Sequence, residues 1–262
     1  MFDSHIHTNF STDSKMTLEE VLKKSKKEDI GAILTEHFDL NFIIPDKFIF
    51  NIDDYFKQYE PYRNDKLLLG VEMGMRLDCI EENEKIANKY DFDFILGSVH
   101  LVEYEGTYYD VYSKSFYQDR NKKEAYTNYL DYMLKCVKKY DFIDSLSHID
   151  YICRYARYEN RELYYHEYKD ILNEIFKELI IKDKALEIST RRLGHKDVHE
   201  SLFQIYKNFN KLGGKYVTIG SDAHTYEDIG NHFKVARELA EESGLKPVYY
   251  KNRKPEFIKF RL

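Results

Sequence analysis

Short β-prone runs alternate with longer amphipathic ones along this whole sequence, seven times over. The expected strands cover 2–7, 30–35, 66–72, 94–99, 143–147, 185–189 and 216–220. The expected helices cover 17–28, 53–63, 78–90, 122–139, 162–182, 197–212 and 228–243. Thr17 followed by Glu20 makes a capping box for the first helix, and Gly213-Gly214 and Gly244 stand where later helices should end. Strands separated by helical crossovers pair in parallel, because each crossover must lay its helix over a sheet face. The fold class is therefore α/β. Seven such units fit an open doubly wound sheet and a closed barrel equally well. No Pro-, Gly- or Ser-rich linker, low-complexity tract or longer repeat divides the 262 residues, so one domain is expected.

The polar residues fall in register with this alternation. His5 and His7 end the first strand, Glu36 and His37 the second, Glu72 the third, His100 the fourth and His148 the fifth, while Asp222 and His224 follow the seventh. Residues two apart on a strand share a face, so His5 and His7 can address one centre. A single His such as His37 is more often a capped or core residue than a ligand. Potential ligands at six separate strand ends are what point to a metal site, since strand C-termini converge on one rim in a βα barrel. Imidazole and carboxylate together suit zinc, iron or manganese, and the lack of thiolate ligands argues against a structural zinc. Glu72 is the natural bridging carboxylate. His166, His195, His199 and His232 lie away from strand ends and are expected at the solvated surface.

Composition excludes several classes. The net charge of −6 gives no basic field for nucleic acid or anionic lipid. Cys79, Cys136 and Cys153 are odd in number without CxxC spacing, which suits a reducing cytoplasm better than a disulfide framework. The start at Met1-Phe2-Asp3 shows neither a basic nor an apolar leader region, and no segment reaches membrane-spanning length. A cytoplasmic protein without a membrane partner is expected.

His5-Ile6-His7, Thr35-Glu36-His37, Gly70-Val71-Glu72, Ser98-Val99-His100, Ser147-His148-Ile149-Asp150 and Ser221-Asp222-Ala223-His224 resemble, in order and spacing, the motifs of the PHP (polymerase and histidinol phosphatase) superfamily. The resemblance runs from residue 3 to residue 224, and within the superfamily it is strongest to the stand-alone histidinol-phosphate phosphatases. It implies a distorted seven-stranded (β/α)7 barrel, a single metallophosphatase domain over 1–262, and hydrolysis of L-histidinol phosphate in histidine biosynthesis. It also implies three divalent transition-metal ions: one on His5, His7, Glu72 and Asp222, a second on Glu72, His100 and His148, and a third on His37, His224 and Asp13. Glu72, Asp222 and His224 would carry the catalytic role. The alternative for Asp13 is a turn residue in Ser11-Thr12-Asp13-Ser14.

Arginines in the contexts of Arg154, after the fifth strand, and Arg191, after the sixth, bind the substrate phosphate in the resembled family. The planar guanidinium fork meets two phosphate oxygens at once, which suits that task. Surface or helix-capping roles are the alternative for both. Arg157, Arg161 and Arg192 point elsewhere. Three divalent ions more than offset the charges of Asp13, Glu72 and Asp222, so the rim should attract a phosphate dianion. Monoester hydrolysis can demand roughly 28 kcal/mol of barrier lowering. Two arginine hydrogen bonds supply about 3–6 kcal/mol gross, so the ions must supply most of the rest, through a metal-bridging hydroxide and no phospho-enzyme.

Other readings stay open at this stage: a phosphoesterase of the same superfamily acting on another small phosphate or on nucleic-acid ends, an amidohydrolase, or a non-catalytic metal-binding domain. A nuclease would want a basic, aromatic-laced track. An amidohydrolase would bridge its metals with a modified lysine on the fourth strand, which here ends in Ser98-Val99-His100. The Tyr-rich connection 101–121 is either a lid over the substrate or a packed loop with a hairpin around Gly106-Thr107.

Overall fold

The computed structural model describes residues 1–257. Its strands and helices, in chain order, are β1 (Phe2–Ile6), α1 (Leu18–Glu28), β2 (Gly31–Phe38), α2 (Ile52–Tyr59), β3 (Leu67–Gly74), α3 (Ile80–Lys89), β4 (Phe94–Ser98), β5 (Leu101–Tyr104), β6 (Thr107–Asp110), α4 (Lys114–Tyr117), α5 (Lys122–Lys139), β7 (Ser145–Leu146), α6 (Tyr151–Tyr155), α7 (Lys169–Ile181), β8 (Ala185–Ser189), α8 (Lys196–Lys211), β9 (Tyr216–Gly220), α9 (Phe233–Ser243), β10 (Lys246–Lys251) and β11 (Lys254–Phe257).

All seven expected strands are present and pair in parallel in the order β1-β2-β3-β4-β7-β8-β9. The strand count is the correction. Among the described residues the sheet has nine strands, because β10 adds in parallel beyond β9 and β11 folds back antiparallel on it. β10 completes a β9–α9–β10 crossover, but Pro247 stands inside it, and β11 follows by a hairpin rather than by a helix, so the alternating pattern ended at seven strands. Past β9 the chain also turns back to β1: the His7 N–H donates to the Ala223 carbonyl at 2.9 Å, and the Asp3 carboxylate accepts from the Ser221 N–H at 2.9 Å. Helix ends moved where local chemistry overrode the periodic pattern. The run expected at 162–182 forms a helix only over Lys169–Ile181, and the one expected at 228–243 starts at Phe233 after His232 takes a left-handed φ of 56°. The Thr17–Glu20 capping box is formed, and Gly244 caps α9 with φ 75°.

Period-two alternation sorts one sheet face by height. Ile33, Leu68, Phe94 and Ala185 form a small apolar core at the N-terminal ends of their strands, sealed by Val248 and Tyr250 of β10. Two and four residues further along the same face stand Thr35 and His37, Gly70 and Glu72, Leu96 and Ser98, Glu187 and Ser189. On β1 the register shifts between Asp3 and Ile6, which lets Phe2 join the apolar end while His5 and His7 join the polar one. The opposite face packs under the helices as the larger core. Each fully buried Leu, Ile or Phe there contributes about 1.5–3 kcal/mol. Cys79, Cys136 and Cys153 are buried free thiols. Among the described residues no helix is long and apolar enough to cross a membrane.

Candidate metal centre

The parallel register sets His37 directly opposite Glu72, and both are buried at the polar end of the sheet. Glu72 is the hub. Its Oε2 lies 3.3 Å from His5 Nε2, 3.4 Å from His7 Nε2 and 2.8 Å from His37 Nδ1. Its Oε1 lies 3.3 Å from His100 Nε2 and 3.0 Å from His148 Nε2, and also accepts the Ser98 hydroxyl at 2.7 Å. Asp222, held at a left-handed φ of 54° just past β9, points Oδ1 at His7 Nε2 from 3.4 Å and at His5 Nε2 from 3.7 Å. A non-glycine residue in that conformation costs energy and is tolerated where surrounding contacts enforce it. Asp13, in the turn after β1, places Oδ2 at 3.2 Å from His224 Nε2 and 3.6 Å from His37 Nε2. The nine residues expected as ligands are thus brought together, and overlapping groups of them have donor atoms close enough to share an ion: His5, His7 and Asp222; His5, Glu72 and His148; His7, His37 and His224.

The donor atoms themselves test whether cations fit. His5 Nε2, His7 Nε2, His37 Nδ1 and Glu72 Oε2 are buried without a hydrogen-bond partner, and all four converge on one spot. Buried polar atoms are rarely left so, unless something else satisfies them. The electrostatics agree. Burial disfavours a charged His5, yet Glu187, Glu72 and Asp222 raise its pKa well above the usual value; His37 is likewise lifted to about 10 against burial by Glu72 and Asp13. His7 moves the other way, lowered by burial and by the adjacent His37 and His224. Glu72 and Asp222 stay well below the carboxylate range despite burial, Glu72 because of His5, His37 and His100, and Asp222 because of Arg154 and His5. A site this rich in anions recruits protons onto imidazoles; divalent ions would do the same work with the nitrogens neutral.

Behind the nitrogens that face inward lies a shell of acceptors. His5 Nδ1 is 2.8 Å from Glu187 Oε1, His100 Nδ1 is 2.9 Å from Asp39 Oδ1, and His7 Nδ1 is 3.0 Å from Ser11 Oγ. Ser11 in turn donates to Glu36 Oε2 at 2.6 Å, so Glu36 supports the shell rather than facing the centre as its strand-end position suggested. Asp39, Glu187 and Ser11 were not singled out from the sequence. The one signal that could have found Asp39 and Glu187 is parity, since each lies on the same strand face as a candidate ligand or rim residue.

Arg154, on α6, pairs with Asp222 Oδ2 and donates to Ser189 Oγ at 2.9 Å. Arg191 donates to the Asp222 carbonyl at 2.6 Å and keeps 42% of its side chain exposed. Arg192 is turned away and bound by Asp150 at 2.7 Å and Glu162 at 2.5 Å. Both rim arginines border a cavity of about 350 Å³ above the histidines, walled on the other side by Lys47, Phe48, Asp110, Tyr112, Tyr151 and Tyr155. Of those six, only Asp110 and Tyr112 fall in a segment that the sequence placed near the site, the Tyr-rich connection 101–121. That connection contains the hairpin β5–β6 and the short α4. His166, His195, His199 and His232 lie outside the centre, exposed or half-buried.

Comparison with known proteins places these features in context. The PHP domain family matches residues 3–191. A probable histidinol-phosphatase of Clostridium acetobutylicum is 48% identical over 253 residues, which is 97% of this chain and 98% of that protein. A histidinol-phosphatase of Lactococcus lactis is 33% identical, over 92% of this chain and 91% of its own. The crystal structure of histidinol phosphate phosphatase from Lactococcus lactis, complexed with zinc, L-histidinol and phosphate, superposes with a TM-score of 0.87 at 30% identity, covering 97% of this chain and 98% of that one.

Proposed function

The chain belongs to the PHP domain family, and we propose from its rim of converging donors that it is a metal-dependent phosphatase hydrolysing L-histidinol phosphate to L-histidinol and phosphate, in histidine biosynthesis. The observation that carries this is Glu72, which meets five imidazoles through two oxygens beside a pair of arginines. Three divalent ions, of zinc, iron or manganese, would share the nine donors: His5, His7, Glu72 and Asp222; Glu72, His100 and His148; and His37, His224 and Asp13. When bound, such ions supply an activated water and neutralise phosphate oxygens.

The chain's own side chains do the rest. Glu72 holds the two halves of the donor set at one spacing. Arg154, anchored by Asp222 and Ser189, presents its guanidinium to the cavity and would take phosphate oxygens there. Arg191, half free, would close on the same group. Asp222 and His224 stand between arginines and donors, nearest to where the reacting phosphorus would lie. The organic part of the substrate would then fill the space beside Tyr112, Tyr151 and Tyr155, whose faces suit an imidazole or an ammonium.

The seven parallel strands, with the return of Ala223 to His5 and His7, support a distorted (β/α)7 barrel, and residues 1–262 are read as one PHP-type unit. A cytoplasmic setting and a small phosphorylated metabolite as partner follow from the same reading. The alternative, a PHP-type phosphoesterase for another small phosphate or for nucleic-acid ends, is disfavoured by the small cavity and the net charge of −6. Metal-reconstituted protein assayed against histidinol phosphate, a panel of other phosphorylated metabolites and a dinucleotide tests the proposal. Preference for any other member of that set would sink it.

A further inference from the structure

We infer that Glu187 is the positioning residue of the metal centre: its two oxygens dictate which nitrogen of His5 carries the proton and where the backbone of His148 stands. The inference rests on the metal reading above. Glu187 is fully buried on β8, between the strand that leads to His148 and the one that leads to Asp222. Oε2 accepts from the His148 peptide N–H at 2.8 Å, and Oε1 lies 2.8 Å from His5 Nδ1.

These two contacts are not interchangeable. A peptide nitrogen can only donate, so Oε2 is committed to His148. A carboxylate oxygen accepts, so when His5 holds an ion as a neutral ring its one proton sits on Nδ1 and the lone pair on Nε2. Nε2 is the atom that faces Glu72 and Asp222 and has no hydrogen-bond partner. The surrounding sequence makes room for this: a Cβ on Gly220 would collide with Glu187 Oε1 and with His5 Cβ. The Tyr206 hydroxyl donates to the Glu187 carbonyl at 2.6 Å and steadies the strand. Asp39 lies 2.9 Å from His100 Nδ1 and 3.8 Å from His37 Nδ1, and Ser11 serves His7 and the His37 backbone. Through His5 Nδ1 and the His148 peptide nitrogen, Glu187 ties a ligand on the first strand to one beyond the fifth strand of the parallel set.

Glu187→Gln is then far from conservative. A carboxamide has one oxygen, which the His148 N–H claims. Its NH2 is left facing His5 Nδ1, and two donors cannot share that contact. His5 must move its proton to Nε2, the nitrogen that should bind the ion. Glu187→Asp keeps the charge and the tautomer and loses only reach.

The test compares full-length wild type, Glu187→Gln and Glu187→Asp, all zinc-loaded. It reads zinc retained per chain against a graded chelator and the imidazole tautomers by long-range 1H–15N NMR. The Gln variant should lose about 10–100-fold in zinc affinity, the scale for a lost outer partner. One imidazole should pass from the Nδ1–H to the Nε2–H form, while the Asp variant keeps its tautomer and recovers most of the affinity. Unchanged tautomer and zinc affinity in Glu187→Gln would overturn the inference, as would equal losses in both variants with all tautomers unchanged. If the Gln variant does not fold, the Asp variant carries the test through its tautomers: a His5 kept in the Nδ1–H form is expected, and an Nε2–H form overturns the inference. Wild type that retains no zinc would instead overturn the metal reading beneath, and this inference with it.

Discussion

The floor and the wall of the cavity are built by different means. The floor is strand and strand end: His5 and Glu72 lie within β1 and β3, His7 and His148 one and two residues past β1 and β7, and all four are almost wholly buried. The wall is connection: Lys47 and Phe48 come from the segment between β2 and α2, where Asn41, Asp46 and Phe48 all take left-handed φ, and Tyr112 comes from the segment between β6 and α4 and is 62% exposed. A sheet holds a side chain through hydrogen bonds on both flanks and packing on both faces, whereas a connection holds it through a few local contacts. The floor should therefore govern whether chemistry occurs, and the wall which molecule undergoes it.

The sharpest way to break that division is at Glu72. Glu72→Gln keeps shape and removes the charge that five imidazoles face. Turnover should fall at least about a thousandfold, near 4 kcal/mol of barrier, and metal content should fall with it. A variant with near-normal kcat and full metal would mean the floor is not the seat of the chemistry.

Removal of metal should separate the regions by pH. His37 is lifted from 6.5 to about 10 by Glu72 and Asp13 against the opposing effect of burial. A raised histidine contributes stability that is complete below about 6.5 and is lost as pH climbs towards 10. The stripped protein should thus weaken across that window, while ion binding, which displaces those protons, should strengthen. The Tm gap between loaded and stripped protein should widen by several degrees between pH 6.5 and pH 9. Parallel melting curves in the two forms would show that the floor's charges are balanced without ions.

The same division explains what could be read from the sequence. Candidate positions such as His37 and Glu72 were legible because strand parity and strand ends are local properties of the chain. Glu187 and Asp39 obey the same parity, but their role depends on a neighbour, His5 or His100, that only the assembled sheet supplies. Gly220 and Gly74 were silent for the same reason: their lack of Cβ matters because Glu187 and Asp39 occupy that space. Lys47 and Phe48 were invisible, since nothing periodic fixes where a connection crosses a rim. The strand β10 escaped although it follows the α9 crossover, because Pro247 interrupts its run, and β11 escaped because it follows a hairpin turn instead of a helix.

The two rim arginines sharpen the comparison, since one belongs to each region. Arg154 is buried against Asp222 and Ser189, so Arg154→Ala should cost about 2–3 kcal/mol in kcat/KM and also lower metal content by freeing Asp222. Arg191 is 42% exposed and bonded mainly to a carbonyl, so Arg191→Ala should cost about 1.5 kcal/mol and leave metal content alone. Inhibition by inorganic phosphate should weaken in both. Equal losses, or an unchanged phosphate inhibition constant, would erase the distinction drawn between them.

The smallest effect is expected at Tyr112, and it decides what the Tyr-rich connection does. A mobile lid would need a stem free to swing. Instead the hairpin is clamped from both sides: the Arg76 guanidinium lies 3.6 Å over the Tyr108 ring, and Arg120 lies 4.5 Å from the Tyr104 ring and 4.8 Å from that of Tyr109. Its two-residue turn, with Glu105 at φ 50° and Gly106 at φ 79°, has the twist that closes a tight hairpin without strain. Beyond the stem, Phe116 and Tyr117 are buried. Of the aromatic side chains in this connection, Tyr112 is the one that lines the cavity, edge-on to Tyr155 at 4.9 Å. A fixed wall with one aromatic contact predicts that Tyr112→Ala raises KM for histidinol phosphate by about tenfold, near 1.4 kcal/mol. Metal content should not change, nor should kcat/KM for a minimal aryl phosphate that does not extend to the wall. A closing lid predicts a different result, because excluding water matters to every substrate: kcat would fall for both. Loss of turnover on the aryl phosphate in Tyr112→Ala would therefore restore the lid and show that the wall, like the floor, takes part in the chemistry.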